Sequence, residues 1–213
     1  EIMQEIHLNI FENYSGQNNI SGNYNLFIGN YSGFKNNKGS QNTYLGYQSG
    51  YNLYNGYNNV FIGRQAGYHA DRASSSYTCV SNCMMGYRSG YCLYNGDYNT
   101  CMGHEAGYRI ENNHYNTCVG YQAGREMTSG NNNTNIGYQA GYQTTGSNNV
   151  NIGPHAGHQT YSDEQCVNIG YHAGYGYSSS ASNYNVNIGS HAGRHQNNCT
   201  DCVMIGRYAG HHN

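Results

Sequence analysis

A glycine recurs about every 17 residues along this 213-residue chain, and this spacing constrains the fold more than any other feature. One clear copy of the unit is Asn-Val-Phe-Ile-Gly-Arg-Gln-Ala-Gly-Tyr at residues 59–68. The first glycine of the unit stands at 29, 46, 63, 86, 103, 120, 137, 153, 170, 189 and 206, after a degenerate copy with Glu12 in its place. Such a unit is too short for a helical repeat of about 34 residues or a propeller blade of about 40.

Short strands joined by Gly/Asn turns fit this length, and the residues before the glycine alternate as strands do. The positions one and three places before the first glycine are mainly apolar or β-branched, from Leu26 and Ile28 to Val203 and Ile205. Residues two apart share one face of a strand. We therefore predict that these two columns point inward, completed by the small Ala or Ser three places after the glycine.

The predicted fold is all-β, a single parallel β-solenoid domain of about twelve turns over residues 1–213. Residues 1–16 form a degenerate first turn, about 69–79 an inserted loop, and 197–213 the last turn. The second glycine of the unit, at a corner, is present in every copy from Gly33 to Gly210 and indicates positive φ or a lack of room for Cβ. Asparagine stands four places before the first glycine in most copies, which favours a ladder of stacked amides over a ligand site.

Two copies resemble the short repeat in the head domains of trimeric autotransporter adhesins, which is also similar to repeats of fibre-type surface proteins. They are Asn-Val-Asn-Ile-Gly-Pro-His-Ala at 149–156 and Asn-Val-Asn-Ile-Gly-Ser-His-Ala at 185–192. The resemblance covers about half of each unit. It implies a β-roll in a surface adhesin.

The position between the two inward columns is predicted to face outward. Its first four members are large and apolar, namely Phe27, Tyr44, Phe61 and Met84. A contiguous apolar strip on a surface usually marks an interaction site. We expect these four side chains to form a lateral interface, with cover by a neighbouring loop as the alternative.

Tyrosine and histidine form further columns. Tyrosines recur one and five places after the first glycine, which predicts ring stacking or, alternatively, an aromatic face for glycans. His155, His172 and His191 share one phase in successive turns and are weak candidates for a Zn²⁺ or Cu²⁺ site. We predict no metal and no other cofactor.

The eight cysteines favour an oxidising compartment. The disulfide candidates are the local pairs Cys79–Cys83 and Cys199–Cys202, and Cys101 with Cys118 on adjacent turns. Zinc binding through Cys199 and Cys202 remains an alternative. The sequons at Asn13, Asn19, Asn30, Asn132 and Asn198 are glycosylation candidates. Since the chain begins at Glu1 rather than Met, we expect either a removed secretory leader, which we prefer, or a fragment of a longer protein. We expect an extracellular or cell-surface location.

Composition excludes other classes. Lys and Arg total 9 against 11 Asp and Glu, so the chain lacks the basic excess typical of nucleic-acid binding. No apolar run approaches the roughly 18 residues of a membrane span. No nucleophile, paired-carboxylate or phosphate-loop motif is present, so we expect no enzyme.

The sequence thus predicts a structural subunit of an extracellular filament or fibre that assembles with itself. The alternatives are an adhesin or glycan-binding module that uses its tyrosine face, and, less favoured, ice binding. The two ends of the chain fall at nearly the same corner of a turn, which predicts head-to-tail stacking. Ile2, Ile6 or Ile10 would then pack against Ile205, and twelve turns at about 4.8 Å give a repeat of about 58 Å.

Overall fold

A computed structural model of the chain describes residues 8–69, 78–160, 162–176, 183–195 and 199–211. Each coil contributes one short strand to a single parallel sheet whose strand order equals chain order. The described strands are β1 Leu8–Phe11, β2 Asn25–Ile28, β3 Thr43–Leu45, β4 Val60–Ile62, β5 Cys83–Met85, β6 Thr100–Met102, β7 Thr117–Val119, β8 Thr134–Ile136, β9 Val150–Ile152, β10 Val167–Ile169, β11 Val186–Ile188 and β12 Val203–Ile205. The prediction of an all-β parallel solenoid is confirmed.

Register follows the sequence period. Thr100 pairs with Thr117, Cys101 with Cys118 and Met102 with Val119. Equivalent positions of successive units therefore lie directly above one another, and each sequence column becomes a physical column along the rod. Within the described residues, no helix is long and apolar enough to cross a membrane.

The interior is lined by the column two places before the first glycine, which we call the core column. Its members are Phe27, Tyr44, Phe61, Met84, Cys101, Cys118, Asn135, Asn151, Asn168, Asn187 and Met204. Those from Phe27 to Asn151 have no exposed side-chain surface. The prediction that this column faces outward is wrong, and so is the lateral interface assigned to Phe27, Tyr44, Phe61 and Met84.

Three sets of neighbours make room for the core column. The first is the Ala/Ser column, three places after the glycine, whose Ser49 hydroxyl donates to the Phe61 carbonyl at 2.9 Å. The second is a buried column seven places after the glycine, which we did not identify from the sequence, and which includes Leu53, Leu93 and Ile110. The third is the second glycine of each unit: a Cβ at Gly67 would lie 2.4 Å from the Phe61 ring, and its φ is +59°.

The C-terminal half fills the same interior with amides. Asn151 donates from Nδ2 to Oδ1 of Asn135, Asn168 donates to Asn151, and Asn187 donates to Asn168, each at 2.8 Å. Buried polar groups are tolerated when they are hydrogen-bonded. Here the amides of Asn135, Asn151, Asn168 and Asn187 are linked coil to coil, and among the described residues Asn187 Oδ1 at the end of the row is buried without a partner. A polar column thus replaces an aromatic one without a change of fold.

Candidate functional surfaces

The outward side of the sheet carries the two columns that were expected inside. We call them the outer columns. The column three places before the glycine comprises Leu26, Thr43, Val60, Cys83, Thr100, Thr117, Thr134, Val150, Val167, Val186 and Val203. The column one place before it comprises Ile28, Leu45, Ile62, Met85, Met102, Val119, Ile136, Ile152, Ile169, Ile188 and Ile205. Residues such as Ile136, which is 38% exposed, face away from the core although coils above and below flank them.

Asparagines at the corner before the strand form the predicted amide ladder. Asn99 donates from Nδ2 to the Asn113 carbonyl at 2.7 Å, while its Oδ1 accepts the Asn116 backbone N–H at 2.9 Å. The same pattern recurs from Asn25 onward, and the side chains are buried. Each amide closes its own turn and connects to the next coil, as expected of a structural role.

Tyrosines five places after the glycine stack face to face. The rings of Phe34, Tyr51, Tyr68, Tyr91 and Tyr108 follow one another with centroids 5.1 Å apart and interplanar angles of at most 12°. Arg125 continues this tyrosine column, with its guanidinium carbon 4.8 Å from the Tyr108 centroid and 5.8 Å from that of Tyr142. Both ring faces within the column are therefore in contact with neighbouring coils.

Charged side chains cluster around Arg125, where an arginine stands in the tyrosine column. Arg125 donates from Nε to Glu105 at 2.8 Å, and Gln122 donates to the same carboxylate at 2.9 Å. Burial raises the pKa of Glu105, but these two hydrogen bonds and the positive charge of Arg125 outweigh it, so the pKa lies below its usual value. The pair is partly exposed, so its main effect is to keep the tyrosine column continuous where an arginine replaces a ring.

The position two places after the glycine has a left-handed backbone in every described coil, with φ between +51° and +61°. We call it the Gln/His column because glutamine dominates its middle and histidine its C-terminal part. Gln65 donates to Gln48 at 2.9 Å, and Gln139 donates to Gln122 at 2.8 Å. A left-handed backbone costs a non-glycine residue roughly 1–2 kcal/mol, and the side-chain ladder offsets that cost.

The three histidines of this column lie in successive coils as the sequence indicated. Ring centroids of His155 and His172 are 4.8 Å apart, and those of His172 and His191 are 5.4 Å apart. His158 is sandwiched in the tyrosine column between Tyr142 at 5.2 Å and Tyr175 at 5.0 Å. In the described part of the chain, no group of three His, Cys, Asp or Glu side chains is arranged to hold a metal ion.

These imidazoles resist protonation. Burial lowers the pKa of His158 to about 4, assisted by positive charge on His155 and His172. Burial likewise lowers the pKa of His172 to about 4, with His155 and Arg194 as the next causes. The Nδ1 atoms of His155, His158 and His172 are buried without a hydrogen-bond partner. The cluster is therefore neutral at pH 7 and held together by ring contacts.

One predicted disulfide is present. Cys199 and Cys202 are bonded, with Cα atoms 6.2 Å apart, which leaves the alternative of zinc binding by this pair without its thiolates. Cys79 and Cys83 are thiols, contrary to expectation, because Cys79 is buried against the Tyr94 carbonyl while Cys83 lies on an outer column.

Cys101 and Cys118 do lie on adjacent strands, but inside the rod rather than on its surface, and both are thiols. The expectation of a disulfide there is wrong for this structure. We predicted that these two cysteines are exposed because we assigned the wrong face of the strands to the interior. Burial, with the neighbouring Cys118 as a further cause, raises the pKa of Cys101, so its thiol stays protonated.

The asparagines of the predicted sequons differ in their exposure to solvent. Asn13 and Asn132 are exposed. The Asn19 amide is engaged inside its turn, donating to the Gly22 carbonyl and accepting from Asn36, and Asn30 is half-buried. Asn198 lies outside the described residues.

The predicted end-to-end contact needs a correction in register. Ile2 and Ile6 lie outside the described residues. Ile10 pairs with Phe27, which places it at the core position, whereas Ile205 belongs to an outer column and is 67% exposed. A following coil in register would therefore set Ile10 against Met204, and Phe11 against Ile205.

Comparison with known proteins returned no match to any family model, to any curated protein or to any solved structure.

Proposed function

We propose that this chain is a structural subunit of an extracellular filament or cell-surface fibre that assembles with copies of itself. The observation that carries this proposal is that β1 and β12 each have one partner strand within the described sheet, so each has an outer edge that another strand would fit. Unpaired strand edges are templates for another chain. The resemblance to adhesin heads and the Cys199–Cys202 disulfide fit a role outside the cell.

Backbone donors show how a further coil would attach. Val186 donates its N–H to the Cys202 carbonyl in the next coil at 2.9 Å. Val203 occupies the equivalent position in β12, and no further strand follows it in the part of the chain that the structure describes. The first coil of another copy would supply the carbonyl and continue the ladder of parallel strands.

The ladder geometry gives less support to the adhesin alternative. Sugar rings bind tyrosine by lying on the ring face, but the tyrosine column presents mainly ring edges because its faces are stacked on one another. The ring faces of the tyrosine column thus contact neighbouring rings of the same molecule and are not available to a sugar. This favours a mechanical role over glycan binding, and it requires no catalytic group.

Blocking the β12 edge tests the proposal. Val203→Pro removes the edge N–H at a position where edge strands tolerate proline, and Val203→Thr is the matched control because threonine is common in the same column. We expect the purified natural chain and the threonine variant to form filaments that sediment, and the proline variant to stay in solution. Equal sedimentation of all three, or of none, would refute end-to-end assembly.

Ice binding is a second candidate function, and the observed orientation of the strands favours it more than the predicted orientation did. We predicted from the sequence that the column containing Thr100, Thr117 and Thr134 lies inside, where it could not bind ice. In the structure these threonines lie on the outer columns beside apolar residues. A flat, regular array of threonine and aliphatic side chains is the kind of surface that orders water. Thermal hysteresis of the Val203→Pro variant, measured on monomeric protein, would support this function, and its absence from the monomer would remove it.

A further inference from the structure

The outer columns form one continuous uncharged surface, which we call the outer face. Its 22 positions contain Ile, Val, Leu, Met, Thr and one Cys, but no Asp, Glu, Lys or Arg. Monomeric proteins rarely expose apolar patches larger than a few hundred Å². An uncharged surface of this length is therefore typical of an interaction site.

Its size matches a protein interface. Eleven strands at about 4.8 Å give a length of about 53 Å. A three-residue strand is about 10 Å long, so the outer columns cover about 530 Å² per copy. The bordering tyrosines bring the contact towards the roughly 800 Å² of a standard interface.

Tyrosines border the face on both sides. Tyr47, Tyr121 and Tyr138, one place after the first glycine, are exposed beyond one end of the strands, and Tyr98 and Tyr115 are exposed beyond the other end. The Tyr98 and Tyr115 rings are stacked with centroids 5.0 Å apart. Tyrosine is enriched in protein–protein interfaces, so these rings add to the contact surface that the face offers.

The period of the face identifies the partner. Side-chain ridges repeat at every coil, so a second copy presents the same ridge spacing, and ridges can interdigitate along the whole length. Sheets with such faces pack about 10 Å apart with strands nearly aligned. Because the face carries no charge, two copies meet without repulsion. A lipid surface offers no matching period.

We infer that the outer face is where two copies of this chain pack sheet against sheet, giving a closed pair with two-fold symmetry. This rests on the proposed function, since it supplies the lateral contact of the fibre. A two-fold contact uses the same patch on both copies. It leaves both ends of each rod free for end-to-end stacking.

The test uses the full chain with Val203→Pro, so that pairing is measured without end-to-end growth. Thr117→Lys and Ile136→Lys each place a charge in the middle of the face. Thr128→Lys is the matched control, on an exposed residue outside the strands. Light scattering coupled to size exclusion should give twice the chain mass of 23.6 kDa for the parent and the control. Either face variant should weaken pairing at least 100-fold while keeping the circular dichroism of the parent.

A parent that is monomeric at high concentration would overturn the inference, as would pairing that both face variants retain. Flotation of a monomeric parent with zwitterionic phospholipid vesicles would assign the face to lipid and equally overturn it. In the chain without Val203→Pro, Thr117→Lys should still form filaments, but unpaired ones. For the natural chain, filaments of unpaired molecules would refute only this inference, whereas pairs that form no filaments would refute only the proposed function.

Discussion

The second glycine of each unit illustrates how one residue type supports the whole interior. At Gly67 the backbone has a φ of +59°, and the Phe61 ring lies where a Cβ would be. Both the left-handed backbone and the close approach are needed, so no other residue serves. This is the physical reason for a glycine in every copy.

Replacing Gly67 with alanine should therefore cost more than an ordinary surface change. The left-handed backbone contributes roughly 1–2 kcal/mol, and crowding against Phe61 adds roughly 1–3 kcal/mol. We expect a loss of about 2–5 kcal/mol in the free energy of unfolding, measured by denaturant titration. Ala66→Ser, which matches Ser49 and Ser89 of neighbouring coils, is the control and should change stability little. A Gly67→Ala variant as stable as the parent would contradict this packing.

Histidine protonation should weaken the fold in acid. The pKa of His158 and of His172 is about 4 in the folded chain, against about 6.5 when unfolded. Below pH 6.5 the unfolded chain therefore binds more protons, and stability falls until about pH 4. Both rings are partly exposed, so solvent screening reduces the net effect to about 1–2 kcal/mol. We therefore expect the Tm to drop by roughly 5 °C over this interval, at about 2–4 °C per kcal/mol in a chain of this size.

Two column-matched substitutions isolate this effect. His158→Tyr extends the tyrosine column, and His172→Gln extends the glutamine ladder, so both remove a titrating group without breaking a column. Between pH 7 and pH 4, the Tm of the double variant should fall by less than the Tm of the parent. Protonation of carboxylates also changes the Tm in this interval, but it affects both proteins equally. An identical drop in parent and variant would show that these histidines are not the cause.

Chelator should leave the rod intact. The histidine rings contact one another and tyrosines rather than converging on one point. The Tm at pH 7 should therefore be the same with and without excess EDTA. A large fall with chelator would instead assign a structural metal to this cluster.

At the scale of the strand, the sequence determined which residues share a face but not which face is inside. The period, the parallel register and the asparagine ladder could all be predicted, because each follows from spacing. The inversion arose at Asn135, Asn151 and Asn168, which look solvent-exposed in a sequence but satisfy one another in the core. The overlooked signal was Gly67 and its equivalents, whose missing side chains leave room for the core column.

The candidate surfaces were predictable only in part for the same reason. Ring stacking follows from a tyrosine in each period, whereas the outer face depended on the strand orientation. Pairing of Cys79 with Cys83 was wrong because a separation of four residues says nothing about the side of the sheet on which each thiol lies.

At the scale of the whole molecule, the strand columns continue in register to the last described coil, where Val203, Met204 and Ile205 lie on Val186, Asn187 and Ile188. A further coil in the same register would extend them. A fibre of such rods should repeat at about 58 Å if twelve coils advance by about 4.8 Å each. Electron microscopy of the purified natural chain, with measurement of the axial repeat, tests this most directly. Filaments with a repeat near 58 Å are the predicted result. Dispersed single rods at high protein concentration, or filaments with an unrelated repeat, would contradict the account.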